Sequence, residues 1–242
     1  MIVLFTDFGL VGPYTGQVMA VLHQAAPAVA AISLFADLPA ARPKPCAYLL
    51  AAYAAWFPPG TVFLCVVDPG VGSARRAVVA EADGRLYVGP DNGLFDIVLR
   101  RAAGARLWEI AWRPPTLSAS FHGRDLFAPV AARLATGEKP AALAQPAAEH
   151  TAERHWPDDL AEIAYVDRYG NALTGLRGSQ VPAQAHLMAA GREIPPATTF
   201  SATPAGETFW YVNSNGLAEI AVNGGSASAL LGLHIGDAIA VV

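Results

Sequence analysis

Short apolar runs alternate with longer helical segments through the first half of the chain, and this alternation restricts the fold more than any other feature. Residues 2–5, 28–34 and 62–67 predict strands. Residues 14–24 and 45–56, which lie between those strands, predict helices. Strands that are continuously apolar are buried on both faces, as in a mainly parallel sheet covered by helices. The pattern therefore predicts an α/β fold for this half.

The alternation stops before residues 137–157, which are rich in alanine, proline and charge and predict a linker. A domain of residues 1–145 is expected before the second half begins. Its other predicted elements are strands at residues 77–81, 86–88 and 107–110 and helices at residues 93–101 and 124–134.

Beyond the linker, turn signals recur about every eight to twelve residues, a spacing typical of short antiparallel strands. This pattern predicts a second, smaller domain of residues 158–242, folded as a β-barrel or sandwich and beginning near Leu160. Its predicted strands are residues 162–166, 186–190, 209–212, 218–222 and 238–242.

The composition argues against several functional classes. A net charge of -4, with no cluster of Lys or Arg, argues against nucleic acid as a partner. Cys46 and Cys65 lie in apolar segments, which predicts buried thiols rather than a disulfide or a metal site. The first residues lack a basic leader and reach Asp7 too soon for a signal peptide, and the apolar stretch at residues 46–57 is about half a membrane span. A cytoplasmic protein without a membrane anchor is expected.

Polar residues directly follow three of the predicted strands. Asp7, Asp68 and Asn92 stand at these strand ends, where open parallel sheets bind their ligands. Each residue alone could equally be a turn or cap residue. If the three strands are neighbours, the three side chains converge on one crevice.

Two longer segments add further reactive side chains near these strand ends. Asp68 begins a glycine-rich segment that ends in Arg75 and Arg76, and His122 lies in the sequence FHGRD about fifty residues later. The start of a helix after His122 is expected to lower the pKa of the imidazole, so that a neutral ring can accept a proton. Carboxylate, guanidinium and imidazole together could hold and deprotonate a water molecule.

The rest of the FHGRD motif has simpler explanations. Asp125 is explained as a charge in the first helical turn, and Arg124 as its solvated neighbour. The remaining histidines lie among residues that do not converge on a site, and no role is predicted for them. They are His23, His150, His155, His186 and His234.

Several longer strings, spread in order over nearly the whole chain, resemble the S-adenosyl-L-methionine hydroxide adenosyltransferases, the water-using relatives of the fluorinase and chlorinase enzymes. They are TDFG from Thr6, VVDPGVGSARR from Val66, VGPDNGLF from Val88, SFHGRDLFAP from Ser120, VDRYGNALT from Val166 and VNSNG from Val212.

This resemblance implies an α/β domain joined to a C-terminal β-barrel, a homotrimer with active sites between subunits, and no cofactor. It implies that water or hydroxide attacks C5′ of S-adenosyl-L-methionine to give adenosine and L-methionine. The catalytic set of the family falls on Asp68, Arg75 and His122, with Arg76 as the alternative arginine. The halide-using relatives have aromatic residues at the positions of Asp68 and His122.

The resemblance also implies substrate contacts. Asp7 would bind the ribose hydroxyls, Asn92, Phe121 and Asn171 the nucleoside, Asp167 the substrate ammonium and Ser214 the methionine carboxylate, while Phe200, Asn223 and Gly224 would flank the adenine. By residue chemistry alone, Phe121 could be a core aromatic, and the contacts in the second domain could be hairpin turns.

The chain departs from the family pattern in two places, and two other functions stay open. Gly12-Pro13-Tyr14 replaces an acidic residue, and residues 39–43 are unusually rich in proline. A metal-dependent hydrolase could use Asp7, Asp68, Asp91 and His122 as ligands. A protein that binds adenosine or S-adenosyl-L-methionine without turnover is the other alternative.

Overall fold

The computed structural model describes residues 1–147 and 156–242, and the chain divides into two compact units, Met1–His155 and Trp156–Val242. In the described part of the chain, no helix is long and apolar enough to cross a membrane. The strands of the first unit are β1 (Ile2–Thr6), β2 (Ala31–Phe35), β3 (Val62–Val66), β4 (Ala77–Ala82), β5 (Arg85–Pro90), β6 (Ala105–Ile110) and β7 (Ala144–Pro146). Its helices are α1 (Tyr14–Ala25), α2 (Pro43–Ala54), α3 (Asp96–Arg101), α4 (Ala128–Ala135) and α5 (Pro140–Leu143).

The seven strands form one sheet in the order β2-β1-β3-β5-β4-β6-β7. The four strands β2, β1, β3 and β5 are parallel neighbours. Because β4 is antiparallel to both β5 and β6, β6 runs in the same direction as those four. The expected mainly parallel sheet is therefore confirmed, and β1, β3 and β5 are indeed adjacent.

Helices cover both faces of this sheet. Alternate strand residues such as Leu4 and Leu64 pack with Leu22 of α1 and Val130 of α4. On the opposite face lie aromatic contacts such as Phe35 with Tyr53 of α2, whose ring centroids are 5.0 Å apart. Strands β1 and β3 are buried at every position, which explains their continuous apolar sequences.

Two predictions for the first unit are wrong in detail. The expected linker at residues 137–157 contains α5 and β7, and β7 pairs antiparallel with β6 at the sheet edge. A three-residue edge strand is too short to show a period, so its pairing with β6 is a tertiary effect. Residues 148–155 of that segment, with His150 and His155, lie outside the described residues. The helix expected at residues 124–134 begins as a π-helical turn, Gly123–Phe127, before α4.

The second unit contains two separate antiparallel sheets, in the orders β12-β13-β9-β8 and β11-β10-β14. The described residues form no closed barrel, so the expected closure is not found. Turn signals predict local hairpins, whereas closure depends on long-range pairing that they do not encode. The elements are β8 (Leu160–Val166), β9 (Ala172–Arg177), β10 (Leu187–Ala189), β11 (Arg192–Ile194), β12 (Thr208–Val212), β13 (Leu217–Val222), β14 (Ala240–Val241) and the helix α6 (Ala227–Leu231).

Candidate active site

An open pocket of about 130 Å³ lies at the carboxyl ends of β1 and β3 in the first unit. Asp7 and Asp68 line it from the two strand ends, and Ser120 to Gly123 line it from the segment that leads into the π-helical turn and from the first residue of that turn. Because β1 and β3 are adjacent, the condition for convergence is met for Asp7 and Asp68, and both lie in one crevice.

Asp68, Arg75 and His122 form a continuous chain of contacts in this region. Nε of Arg75 donates to Oδ1 and Oδ2 of Asp68 at 2.8 and 3.0 Å, and Nη2 also donates to Oδ2. The same Nη2 lies 3.0 Å from Nδ1 of His122. The side chains of Arg75 and Asp68 are only 10% and 3% exposed, so the ion pair is shielded from solvent.

Gly72, between Asp68 and Arg75, lies where the chain passes very close to the backbone of Ala119. Gly72 has a φ of +79°, and a Cβ at this position would lie 2.6 Å from the carbonyl oxygen of Ala119. Only glycine combines that conformation with so close an approach. The segment that carries Arg75 is thereby held against the segment that carries His122.

Arg75 and Arg76 bind different carboxylates. Nε and Nη2 of Arg76 donate to Oδ2 of Asp91 at 2.9 and 2.6 Å. Successive side chains of an extended segment point in opposite directions, and β4 begins immediately afterwards. The structure thus places Arg75 at Asp68 and His122, whereas Arg76 pairs with Asp91.

The pKa of His122 is lowered from its ordinary value, as expected, but the main cause is different. Partial burial contributes most, and the positive charge of Arg75 comes next, while Asp68 acts in the opposite direction. A guanidinium cannot accept a hydrogen bond, so Nδ1 of His122 is the acceptor in their contact. The neutral ring therefore carries its proton on Nε2.

Asp7 is anchored by a backbone group that sequence reasoning missed. The N–H of Ala41 donates to Oδ2 of Asp7 at 2.9 Å, and Ala41 has the left-handed φ of +57°. Burial is the main cause that raises the pKa of the Asp7 carboxyl. The proline-rich sequence at residues 39–43 thus supplies a backbone donor, and nothing in its composition predicts this contact.

Three aromatic rings form one wall of the pocket and its rim. The ring centroid of Phe121 lies 5.7 Å from that of Phe8 and 5.4 Å from that of Tyr14, both edge to face. Phe8 and Phe121 line the pocket, whereas Tyr14 is 52% exposed. Arg124, expected to be solvated, instead stacks over Phe121 at 5.1 Å from the ring centroid.

Asn92 does not line this pocket. Its Nδ2 donates to the carbonyl oxygen of Val67 at 2.8 Å, and its Oδ1 accepts from the N–H of Leu94 at 3.3 Å. These bonds fix the turn after β5 to the end of β3. The side chain therefore has structural partners on both strand ends.

The other predicted substrate residues lie in the second unit. Asp167 accepts from the N–H groups of Tyr169 and Asn171 at 2.8 and 2.9 Å and from Nδ2 of Asn171 at 3.0 Å. Ser214 is exposed on the turn between β12 and β13. The adenine-flanking candidates pack close to that hairpin: Phe200 contacts the rings of Phe209 and Tyr211, Asn223 donates to the carbonyl of Thr203, and Gly224 has a φ of +76°.

A buried carboxylate in β13 was missed by sequence reasoning. Glu219 accepts from the hydroxyl of Tyr211 at 2.6 Å and from Nδ2 of Asn213 at 2.7 Å. Oδ1 of Asn213 in turn accepts from the N–H groups of Asn215 and Leu217. A glutamate in an otherwise apolar strand is the available sequence signal. The network fixes the turn that carries Ser214.

Three of the four donors expected for a metal site contact arginines, and the fourth, Asp7, is held by the N–H of Ala41. Arg75 lies between Asp68 and His122, and Arg76 pairs with Asp91. Among residues 1–147 and 156–242, no three His, Cys, Asp or Glu side chains have the geometry of a metal site.

Comparison with known proteins identifies relatives over nearly the full length. Residues 2–144 match the S-adenosyl-L-methionine hydroxide adenosyltransferase N-terminal domain, and residues 161–240 match the C-terminal domain of the same family. A curated relative from Thermus thermophilus, named (R)-S-adenosyl-L-methionine hydrolase, is 40% identical over 96% of this chain and 95% of its own length. A relative of the same name from Salinispora arenicola is 38% identical over 98% of this chain and 95% of its own length.

Solved structures show the same fold. An uncharacterized conserved protein from Thermotoga maritima has a TM-score of 0.90 and 30% identity, over 100% of this chain and 99% of that one. A conserved hypothetical protein from Thermus thermophilus has a TM-score of 0.79 and 38% identity, with the same coverage.

Proposed function

The chain belongs to the S-adenosyl-L-methionine hydroxide adenosyltransferase family, and we propose that it hydrolyses S-adenosyl-L-methionine to adenosine and L-methionine. The observation that carries this proposal is the contact of Arg75 with both Asp68 and His122 beside the pocket. The names of the curated relatives further support the (R) epimer at the sulfonium as the preferred substrate.

The charges of the site suit a sulfonium substrate and a water nucleophile. Arg75 is neutralised by Asp68, and the lowered pKa of His122 favours its neutral form. Asp7 adds a carboxylate to the pocket. A cationic substrate therefore meets no uncompensated positive charge, whereas a halide ion would meet the carboxylate of Asp68. This balance favours water over halide.

The chemistry then needs a positioned water and a proton acceptor. As the oxygen of water bonds to C5′, the C5′–S bond breaks and its electron pair stays on sulfur, which leaves as a neutral thioether. No general acid is needed, but the water must lose a proton. The ring lone pair of neutral His122 that can take a proton is on Nδ1, the atom that accepts from Nη2 of Arg75. We assign proton acceptance to Nδ1, with Arg75 then bonded to Asp68 alone, and the proton passes on to solvent.

Substrate binding is assigned to both units. Asp7 has one oxygen held by Ala41, so Oδ1 can accept from a ribose hydroxyl. Phe121 is assigned to the nucleoside side of the pocket. Asn92, which does not line the pocket, is assigned to the nucleoside on the strength of the family resemblance alone. Asp167, Asn171, Phe200, Ser214, Asn223 and Gly224 are assigned to the methionine and adenine ends on the strength of the family resemblance.

The same resemblance supports a set of properties that belong to the proposal. They are a cytoplasmic homotrimer with active sites between subunits, catalysis without a cofactor, and a division into an α/β domain of residues 1–145 and a second domain of residues 158–242.

The test is product analysis with chelator-treated protein. The protein is incubated with (S)-S-adenosyl-L-methionine or with the epimer mixture, with and without chloride, and the products are separated by chromatography. Adenosine and methionine from the mixture, with depletion of the (R) epimer and with almost no product from His122→Ala, support the proposal. Formation of 5′-chloro-5′-deoxyadenosine identifies a halogenase, activity restored only by metal identifies a metal-dependent hydrolase, and binding without turnover identifies a binding protein.

A further inference from the structure

Arg124 and Asp125 have no role in the proposed reaction, although they belong to the same short motif as Phe121 and His122. The side chain of Arg124 is 35% exposed and that of Asp125 is 15% exposed, so neither is a freely solvated charge. Both form more contacts than a surface ion pair requires.

The guanidinium of Arg124 is bonded at all three of its nitrogens. Nε donates to Oδ1 of Asp125 at 2.6 Å, and Nη2 donates to Oδ2 at 3.0 Å. Nη1 donates to Oε1 of Gln17, which lies on α1, at 2.8 Å. A planar fork bonded on three sides has a fixed orientation.

The central carbon of that guanidinium, Cζ, lies over the ring of Phe121, 5.1 Å from its centroid. The same ring packs edge to face against Phe8 and Tyr14. A cation over one face and two rings at the edges leave Phe121 a single favourable orientation. Since Phe8 and Phe121 both line the pocket, Arg124 determines the shape of this wall.

Asp125 fixes the backbone that leads into the same wall. Its Oδ2 accepts from the N–H of Ser118 at 2.9 Å, and its own N–H donates to the carbonyl of Phe121 at 3.2 Å. Through its carboxylate Asp125 holds Ser118 and the guanidinium of Arg124, and through its backbone N–H it holds Phe121.

We infer that Arg124 and Asp125 are positioning residues, which hold Phe121 as a rigid wall of the substrate pocket and direct the adjacent His122 toward Arg75. The inference rests on the proposed hydrolase function. All five residues of the motif then contribute to the pocket. Phe121, His122 and Gly123 line it, and Arg124 and Asp125 fix the geometry of these three residues.

A double-mutant cycle tests whether Arg124 acts through Phe121. We expect Arg124→Met to lower kcat/KM for S-adenosyl-L-methionine about tenfold in the native chain, the size expected for a misplaced binding group. In a Phe121→Leu background, the same change is expected to cost less than about twofold, because the ring it orients is absent. Equal losses in both backgrounds would overturn the inference.

Arg133 offers a matched control in the same unit. It forms a bidentate pair with Glu138 at 2.6 and 2.7 Å, and its guanidinium lies 5.5 Å from the ring centroid of Trp112. Arg133→Met removes the same kinds of interaction away from the pocket, so it should leave kcat/KM unchanged. A loss equal to that of Arg124→Met would show a general effect of stability and contradict positioning. If Arg124→Met fails to fold, Arg124→Lys replaces it, because lysine keeps the charge and loses the fork.

A readout without substrate separates this inference from the proposed function. With 4-fluorophenylalanine at all ten phenylalanines, the fluorine resonance of Phe121 is identified by its loss in Phe121→Leu. Arg124→Met and Asp125→Asn should shift and broaden this resonance, and Arg133→Met should not. An unmoved resonance overturns the inference even if the protein is an active hydrolase. A moved resonance in a protein that hydrolyses nothing refutes the proposed function and supports the orientation of Phe121 by Arg124.

Discussion

Nη2 of Arg75 lies 3.0 Å from Nδ1 of His122, so the cation directly faces the lone pair of the neutral imidazole. A proton on that nitrogen would bring two positive groups together, and only the carboxylate of Asp68 would compensate. The site therefore holds a weak base in its neutral form and keeps it in contact with Arg75, whose charge is neutralised by Asp68. This arrangement fits a reaction whose leaving group needs no acid.

The pH dependence of activity should follow the protonation of His122. Since burial and Arg75 lower its pKa below the ordinary 6.5, kcat/KM should be constant around neutral pH and fall only when the pH drops below about 6.5. Arg113 also lowers this pKa, so Arg113→Gln should move the acidic limb to higher pH. Profiles of kcat/KM from about pH 4.5 to 9 measure the shift. A limb that stays in place or moves to lower pH would remove His122 as the titrating group.

Neighbouring arginines provide a test of the contact chain. Arg75→Lys should lower kcat about a hundredfold, because lysine cannot bond Asp68 through a fork and reach His122 at the same time. Arg76→Lys should change kcat by less than about threefold, since Arg76 pairs with Asp91. Both variants are compared by single-turnover kinetics and by thermal unfolding. Equal losses of kcat in the two variants would contradict the assignment of Arg75.

Much of the first unit was predictable because its strands are buried at every position. The burial of β1 and β3 and the parallel sheet follow from their apolar sequences. The adjacency of β1, β3 and β5 was the condition for the predicted crevice, and the structure meets it. Asp7 and Asp68 converge on the pocket because they stand at the ends of adjacent parallel strands. Local sequence and the rules of parallel sheets were sufficient for this part.

The unpredicted features depend on contacts between distant segments. The donor from Ala41 to Asp7 spans 34 residues, and the contact of Arg124 with Gln17 spans 107. The choice between Arg75 and Arg76 depends on which carboxylate each side chain meets after folding. In the second unit, turn signals predicted hairpins but could not show whether the sheets close. Sequence patterns carry little information about which distant segments meet in the folded chain.

Gly89 should be indispensable for the edge of the sheet that bears the pocket. A Cβ at this position would lie 2.2 Å from the carbonyl oxygen of Cys65 in the neighbouring strand β3. Gly89→Ala should therefore lower the free energy of unfolding by about 3 kcal/mol, because the backbone cannot yield without losing strand pairing.

The control for this change is Gly104→Ala, where a Cβ would meet no atom within 4 Å. That variant should stay within about 0.5 kcal/mol of the native chain. Urea unfolding followed by circular dichroism measures both. A Gly89→Ala variant as stable as Gly104→Ala would mean that β3 and β5 do not approach as closely as described.

Glu219 should make the stability of the second unit depend on pH. Burial is the main cause that raises the pKa of its carboxyl above 4.5, although Tyr211 and Asn213 donate to it. The folded state then binds the proton more tightly than the unfolded state. The stabilisation that the folded state gains by binding this proton more tightly is complete below pH 4.5, and it is lost as the pH rises through the folded-state pKa.

The variant Glu219→Gln removes this titration and should flatten the pH dependence. The free energy of opening of the β12–β13 amides, measured by hydrogen exchange across that pH range, should fall with rising pH in the native chain and stay nearly level in the variant. Glu207→Gln, at an exposed position in the same unit, controls for the loss of one negative charge. If the opening free energies of the native chain and of Glu219→Gln differ by the same amount at every pH, the buried carboxylate does not titrate in this pH range. Glu219 would then hold the turn of Ser214 through its hydrogen bonds alone, and protonation would not contribute to the order of that turn.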